Sequence, residues 1–411
     1  MSAAAREVEA VWRIEGARIV ATLARTTGDL GLAEDLAQEA VAQALEQWPR
    51  TGRPVNPAAW LTAVAKRRAI DGWRRRERRD ERYAAIARDL EQVAEDEWSP
   101  IPDDLLRLVF TACHPVLSRE SRVALTLRVV GGLSTEVIAR MLLVPAPTVQ
   151  ARITRAKRAL AGLPYEPPDQ AEWPARLDSV LGVVYLVFTE GYAASNGDEW
   201  MRPDLAAEAL RLGRVLAVLA PREPEVHGLV ALMELQASRF AARRAPDGSP
   251  VLLEDQHRSR WDRGQIERGR AALRRAAPAA GPYALQAAVA EQHAIAPSAA
   301  RTDWAEIVRL YDRLLAIAPN PVVRLNRAVA VAMAHGPAAG LALVDAMAAE
   351  GLLAGSHLLP AVRGELLARA GRRDEAAVLL GDAAALAANA RVRAALLARA
   401  AVSATGPAPR T

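Results

Sequence analysis

One cysteine among 411 residues, Cys113, leaves no internal disulfide framework and no multi-cysteine metal centre, and it suits a reducing compartment. Lysine is almost absent. Lys66 and Lys157 are the two in the chain, and neither follows a glycine, so no Walker A phosphate loop is available. There is no G-x-S-x-G elbow, and the six histidines (His114, His227, His257, His293, His335 and His357) have no metal-ligand spacing. Neither a metal nor an organic cofactor is expected. Long apolar runs are missing too. The stretch between Asp178 and Glu190 is too short to span a bilayer, and that from Ala328 to Val344 is broken by His335, Gly336 and Pro337. The Met1–Arg6 start lacks the apolar core of a signal peptide. Together these absences predict a cytoplasmic protein with no membrane partner. At 51% hydrophobic and 25% charged residues the balance is that of an ordinary globular chain, long enough for two to four domains.

The net charge of +5 is small but unevenly spread. Lys66–Arg82 holds nine basic and four acidic residues, whereas Tyr83–Leu106 sets seven acids against Arg88 alone. Arg140–Arg158 then carries five basic residues and no acid, and from Tyr165 onward 28 basic residues meet 27 acidic ones. Two basic stripes flank an acidic connector, and a neutral half follows. Basic stripes attract polyanions, and an acidic connector can mimic a nucleic-acid path. Solvated helix faces would give the same totals, so charge leaves both readings open.

No window shows sustained apolar/polar alternation with β-branched enrichment, so strands are not expected. Ala, Leu, Arg and Glu dominate with an apolar period of three to four, which predicts an all-α fold. A first helical block runs from about Ala10 to Arg79, interrupted by the three-proline loop Pro49–Pro57. A charged connector reaches Pro102, a second block covers Asp103–Leu163, and the linker Leu163–Asp169 leads into a long helical half that ends near Val402. The tail from Ser403 should be disordered. Gly336 and Gly371 lie 35 residues apart, each between two apolar helices, with Ala342 and Ala377 at equivalent positions. Small residues there would let antiparallel helices approach closely, as in tetratricopeptide (TPR) hairpins.

The second block holds a helix-turn-helix pattern. A helix over Arg119–Val130 stops at Gly131-Gly132, and a second begins after Ser134, a good N-cap, with Val137, Ile138 and Met141 inward. After Val144–Pro147 a third helix has the apolar stripe Val149, Ile153, Ala156 and Leu160, and its other faces carry Gln150, Arg152, Arg155, Lys157 and Arg158. That arrangement lays a recognition helix into the major groove, where Gln suits adenine edges and Arg suits guanine or phosphate. In the first block, LAEDLAQEAVAQALEQW is an amphipathic helix with Asp35, Gln38 and Glu39 on its polar face. PAAWLTAVAKRRAIDGWRRRERR follows, with Trp60, Leu61, Val64 and Ile70 inward and Lys66, Arg67, Arg74 and Arg75 outward. A basic helix with Trp60 and Trp73 suits phosphate contacts and stacking on an opened strand, although either tryptophan alone fits a core equally.

These two motifs, in this order and with an acidic connector between them, resemble extracytoplasmic-function (ECF) sigma factors of bacterial RNA polymerase over roughly Val11–Gly162. YLVFTEGYAAS, LEDQHRSRWDR, GPYALQAAVAEQHA and NPVVRLNRAVAVA resemble the long TPR-like extension of one ECF group. The resemblance implies a sigma region 2 bundle over 1–80, an acidic linker over 81–102, a region 4 helix-turn-helix over 103–163, a TPR-like extension over 164–403 and a disordered tail over 404–411. It implies core RNA polymerase as partner, with Asp35, Gln38 and Glu39 docking on the β′ clamp helices and region 4 meeting the β flap. Promoter DNA is the other implied partner. Trp48, Arg53, Asn56, Trp60, Lys66, Arg67, Asp71 and Arg74 would capture and melt the −10 element. Thr148, Gln150, Ala151, Arg152, Thr154, Arg155 and Arg158 would read the −35 element. The extension would regulate activity through a protein or ligand partner.

The chain departs from the family pattern in two places. Pro145 stands where a serine N-cap is common, and Val137 replaces an acid, which removes the capping box. Two other function classes are weighed against the family. A stand-alone helix-turn-helix regulator with a TPR effector domain would leave the first block without a role. An enzyme would place its site in the C-terminal half, in or near the polar cluster Glu254–Asp262, with Glu190, Asp255, His257, Arg260 and Trp261 as candidates.

Overall fold

The structure, a computed structural model, describes residues 3–76, 102–142, 144–166, 168–194, 200–277 and 280–405. Of 3–6, 9, 13, 71–76, 102–103 and 405 it describes the backbone alone. The acidic linker expected over 81–102 therefore lies outside the described residues except for Pro102, as does the tail from 406. Among the described residues every regular element is a helix, and the chain divides into two compact units, Met1–Val184 and Tyr185–Thr411.

The first unit begins with α1 (Ala3–Thr27), α2 (Leu30–Thr51) and α3 (Pro57–Arg76). It continues with α4 (Pro102–Ala112), α5 (Arg119–Val129), α6 (Thr135–Leu142) and α7 (Ala146–Leu160). α1 packs against α2, α3 and α4, and the fully buried Ile19, Leu23 and Leu61 lie in this core. Short polar residues start the helices by accepting first-turn N–H groups: Asp29 from Leu32, Ser118 from Ser121 and Ser134 from Val137. α2 does not stop at Pro49 as expected but continues to Thr51. A proline in the last turn costs one helical hydrogen bond, and the buried Trp48 beside it anchors that turn.

α8 (Trp173–Tyr192) crosses the boundary between units. Its first half belongs to the first unit. Trp173 packs on Phe110 with ring centroids 4.9 Å apart, Arg176 donates to the Phe110 carbonyl at 3.1 Å, and Ser179 donates to that of Cys113 at 2.8 Å. The two compact units divide after Val184, within this helix.

The second unit comprises α9 (Pro203–Leu219), α10 (Pro224–Ala237), α11 (Arg263–Ala276), α12 (Pro282–Ile295), α13 (Trp304–Ile317), α14 (Pro321–His335), α15 (Pro337–Ala349), α16 (Leu358–Arg369), α17 (Arg373–Leu386) and α18 (Ala390–Thr405). Five of these begin with proline at the first turn, where its missing N–H costs nothing. Apolar clusters pass from helix to helix: Ala231, Leu235, Ala272 and Ala287, then Leu285, Leu310, Leu314 and Ala330, then Ala328, Val344, Leu366 and Ala376, then Leu380, Ala383 and Leu396. Each helix is stabilised chiefly by its neighbours in sequence, as in solenoids. The ends nevertheless meet. Asn389, just before α18, donates to the Ala194 carbonyl just after α8, and Arg391 donates to that of Asp247 at 3.3 Å.

Helical hairpins occur where the 35-residue spacing places them, but the close approach is not at Ala342 and Ala377. Ala342 is exposed. Gly340 takes that role between α14 and α15, where a Cβ would lie 2.4 Å from the Ala332 Cβ and 2.9 Å from the Ala328 carbonyl. Gly364 does so between α16 and α17, where a Cβ would lie 2.9 Å from Leu380 Cγ.

Candidate nucleic-acid interface

The sequence around Ser134 folds as its pattern requires. Ile138 of α6 and Val149, Ile153, Ala156 and Leu160 of α7 are buried. The Val144 N–H closes α6 on the Ala139 carbonyl at 3.1 Å, and α7 starts at Pro145 with no side-chain cap. Fixing that stripe inward turns the rest of α7 outward. Gln150, Ala151, Arg155 and Arg158 are exposed, and Thr148, Arg152 and Thr154 are half-buried. Arg155 bonds only to the Ala151 carbonyl, and neither it nor Arg158 has a carboxylate partner among the described residues. Gln150 lies 3.4 Å from the Thr135 hydroxyl, which links the outer face of α7 to the start of α6.

Lys157 faces the other way. Its ammonium meets Glu34 at 2.5 Å and Asp35 at 2.8 Å, both in the first two turns of α2. Glu34, 5% exposed, also accepts from Arg128 of α5 at 2.8 Å. Burial lowers the pKa of Lys157, but Glu34 and Asp35 outweigh it and hold the ammonium above its ordinary value. The helix-turn-helix is thus bonded to the first bundle by a buried acid between two cations. A second link joins Arg25 of α1 to the buried Asp104 of α4 at 2.9 Å.

On the first bundle, Asp35 and Glu39 are exposed and Gln38 is half-buried, as an outward polar face of α2 requires. Glu39 pairs with Arg68 of α3 at 3.0 Å. Arg53 and Asn56 are exposed in the loop after α2, and Arg67 is exposed on α3. Lys66 is half-buried, and its pKa is lowered by burial and by Arg25 nearby. The side chains of Asp71 and Arg74 lie outside the described residues.

Two of the expected side chains in this region also make contacts within the bundle. Trp48 is 4% exposed and packs edge-on against Trp60, centroids 5.6 Å apart, so its ring offers no face to a base in this conformation. Asn56 caps α3, accepting from the Ala59 N–H at 3.1 Å, which commits its side-chain carbonyl. Sequence reasoning also missed Glu34, Arg128 and Lys157 as a cluster. The signal was an acid on the apolar stripe of α2, beside Leu30 and Ala37, where a buried charge requires a cation.

Residues 13–79 match the sigma-70 region 2 family and residues 107–160 the sigma-70 region 4 family. Over 141 residues the chain is 35% identical to the ECF RNA polymerase sigma factor SigL of Mycobacterium tuberculosis, covering 33% of this chain and 76% of that protein. The chain belongs to the ECF sigma factors. A second member, SigK of Mycobacterium ulcerans, is 30% identical over 151 residues, covering 35% of this sigma factor and 78% of SigK. An uncharacterized protein of Rhizobium meliloti is 44% identical over 380 residues, 90% of this sigma factor and 89% of the relative, so the second unit is shared with it. Residues 176–277 match a family of unknown function, DUF6596. A tetratricopeptide repeat protein from Parabacteroides merdae covers 89% of this sigma factor and 99% of its own chain, at 13% identity and a TM-score of 0.37.

In this sigma factor the alternative candidates of the second unit have separate surroundings. Glu190 is paired with Arg202 at 3.0 Å, Asp255, His257 and Arg260 are exposed, and Trp261 is buried with Arg239 and Arg258 near its ring. Among the described residues no group of acids, histidines or cysteine is placed to hold a metal ion, and no helix is long and apolar enough to cross a membrane.

Proposed function

We propose that this sigma factor recruits core RNA polymerase to promoters by presenting α7 to the −35 element and the α2–α3 loop with α3 to the −10 element, which it melts. The observation that carries the reading is the outer face of α7, where Arg155 and Arg158 have no carboxylate partner among the described residues while the apolar stripe locks the helix in place. In this reading residues 1–80 act as region 2, 81–102 as the linker and 103–163 as region 4. Asp35, Gln38 and Glu39 dock on the polymerase β′ subunit, and region 4 meets the β flap. Arg53, Asn56, Lys66, Arg67, Asp71 and Arg74 meet the −10 strand, with Trp60 beside them and Trp48 supporting the loop from inside. Neither stripe alone binds a promoter tightly. Both are presented together on the polymerase, which multiplies their separate affinities and supplies the chemistry.

The second unit, in the same reading, controls activity. In vitro transcription with purified core polymerase tests the first part: initiation at the cognate promoter should depend on this chain. Arg155→Ala should weaken promoter-dependent initiation by about tenfold to a hundredfold, the cost of one good base or phosphate contact at roughly 1–3 kcal/mol. Initiation that is indifferent to the chain sinks the assignment. A chain ending after α8, which keeps Trp173, Arg176 and Ser179 against α4 and α5, tests control by the second unit. Unchanged promoter-dependent output would leave that unit without a regulatory role.

A further inference from the structure

Three sequence segments with no part in promoter binding converge in the second unit. Tyr192 comes from the end of α8, Arg258 and Trp261 from the loop before α11, and His293 from α12. Arg239 and Arg243, just after α10, join them. The Arg243 guanidinium lies 3.5 Å from the Tyr192 ring centroid and 4.8 Å from that of Trp200, and it donates to the Tyr192 carbonyl at 2.6 Å. Arg239 donates to the Tyr192 hydroxyl and to Gln236, and it lies 5.7 Å from the Trp261 ring. Arg258 lies 4.7 Å from the same Trp261 ring and donates to the His293 carbonyl.

All these acceptors are neutral. Three guanidinium groups are therefore gathered around aromatic rings with no carboxylate partner among the described residues. The acids of the same segments are engaged elsewhere or exposed: Glu190 pairs with Arg202, Glu254 with Arg369, Asp262 caps α11, and Asp255 faces solvent. The field of the cluster reaches its neighbours. Burial together with Arg239 and Arg258 pushes the His293 imidazole down to about 4, and burial with Arg239 brings Arg243 down to about 10. Arg243 is only 9% exposed, so its charge is poorly screened by water.

Beside this cluster opens a cavity of about 460 Å³, lined by Trp200, Met201, Phe240, Arg244, Pro246 and Arg260. Its volume lies within the range of small-molecule sites, roughly 300–1,000 Å³. Trp200 is shared: one ring faces both the cavity and the buried Arg243. Aromatic walls suit a flat ring, and arginines at the rim and behind the wall suit an oxyanion. We infer that this cavity binds a small organic anion, a planar ring bearing a carboxylate or phosphate, with Arg260 at the rim engaging the anionic group. The inference is separate from promoter recognition and stands or falls without it.

Calorimetric titration of the full chain without DNA tests this site, using adenosine monophosphate for the phosphate class and indole-3-carboxylate for the carboxylate class. Adenosine and indole are the neutral counterparts. One of the two anions should bind saturably at or below about 10 mM, and its neutral counterpart at least about tenfold more weakly. Arg260→Glu should weaken that binding by at least about tenfold, because it replaces an attraction by a repulsion at the rim. Arg260 is exposed, so the variant should keep the melting temperature of the ligand-free protein, which reports its folding. The assignment is overturned by absence of binding for both anions, by equal binding of the neutral counterpart, or by binding that Arg260→Glu leaves unchanged. The last outcome would place the anion on the basic stripes of the first unit.

Discussion

Glu34 is an acid on the buried face of α2, and it is tolerated there because Arg128 and Lys157 both reach it. Removing a partner from a buried pair leaves an uncompensated charge, which costs about 3–5 kcal/mol, whereas the intact pair adds little net stability. It ties α7 and α5 to α2, while the apolar stripe sets which residues of α7 turn inward. Cys113 shows the opposite strategy. Burial pushes its thiol up to about 11, and with Thr126 Oγ 3.3 Å away it acts as a small core residue with no reactive thiolate at neutral pH. His293 carries a pH dependence. Its pKa is lowered from 6.5 to about 4, first by burial and then by Arg239 and Arg258, so the folded protein binds its proton less readily than the unfolded chain. The stability it supports is full above about pH 6.5, the unfolded value, and is lost as pH falls toward 4. Urea unfolding between these pH values should show that loss, and His293→Gln should flatten it.

At the scale of elements, α7 carries two faces with different partners. Its outer face is open, while Lys157 on its inner side holds Asp35, one of the carboxylates proposed to meet polymerase. The two contacts compete for the same acid. Lys157→Ala leaves Glu34 bonded to Arg128 and releases Asp35, so the full chain should bind core polymerase several-fold more tightly. Unchanged affinity in fluorescence anisotropy would mean that α2 docks by other residues. The helix pairs of the second unit obey a different constraint. Gly340→Val would drive a branched side chain into Ala332 and the Ala328 carbonyl, and overpacking of that kind costs about 1–3 kcal/mol. Thermal unfolding should show the loss, whereas Ala342→Val, at an exposed position, should change little.

At the scale of the whole chain, each unit has its own organisation. The second is a run of helices stabilised neighbour by neighbour, yet closed by Asn389 and Arg391 on residues nearly two hundred and one hundred and fifty positions earlier. Asn389 also caps α18 through the N–H groups of Arg391 and Val392. Asn389→Ala should lower hydrogen-exchange protection in α18 and, if closure couples the ends, around Ala194 as well. A change confined to α18 would show that the ends are stabilised independently. The helix-turn-helix, its inward stripe and the hairpins at Gly336 and Gly371 were legible in the sequence, because each depends on local period, caps and breakers. Trp48, Asn56 and Lys157 were not, because a tryptophan, an asparagine or a lysine is equally at home in a core, a cap or a binding face until its neighbours are known.

The sequence by itself determined that this protein is all helix among the described residues, that its α7 offers a basic outer face, and that its single-sign charge runs fall before Tyr165. These follow from residues within a few turns of one another. Tertiary structure alone decided that Glu34 is the acid between Lys157 and Arg128, that Gly340 and Gly364 set the helix contacts, and that three neutral-bonded arginines gather around Tyr192 and Trp261. Those outcomes depend on which distant segments meet, and burial gives a charge its meaning only after the chain has closed around it.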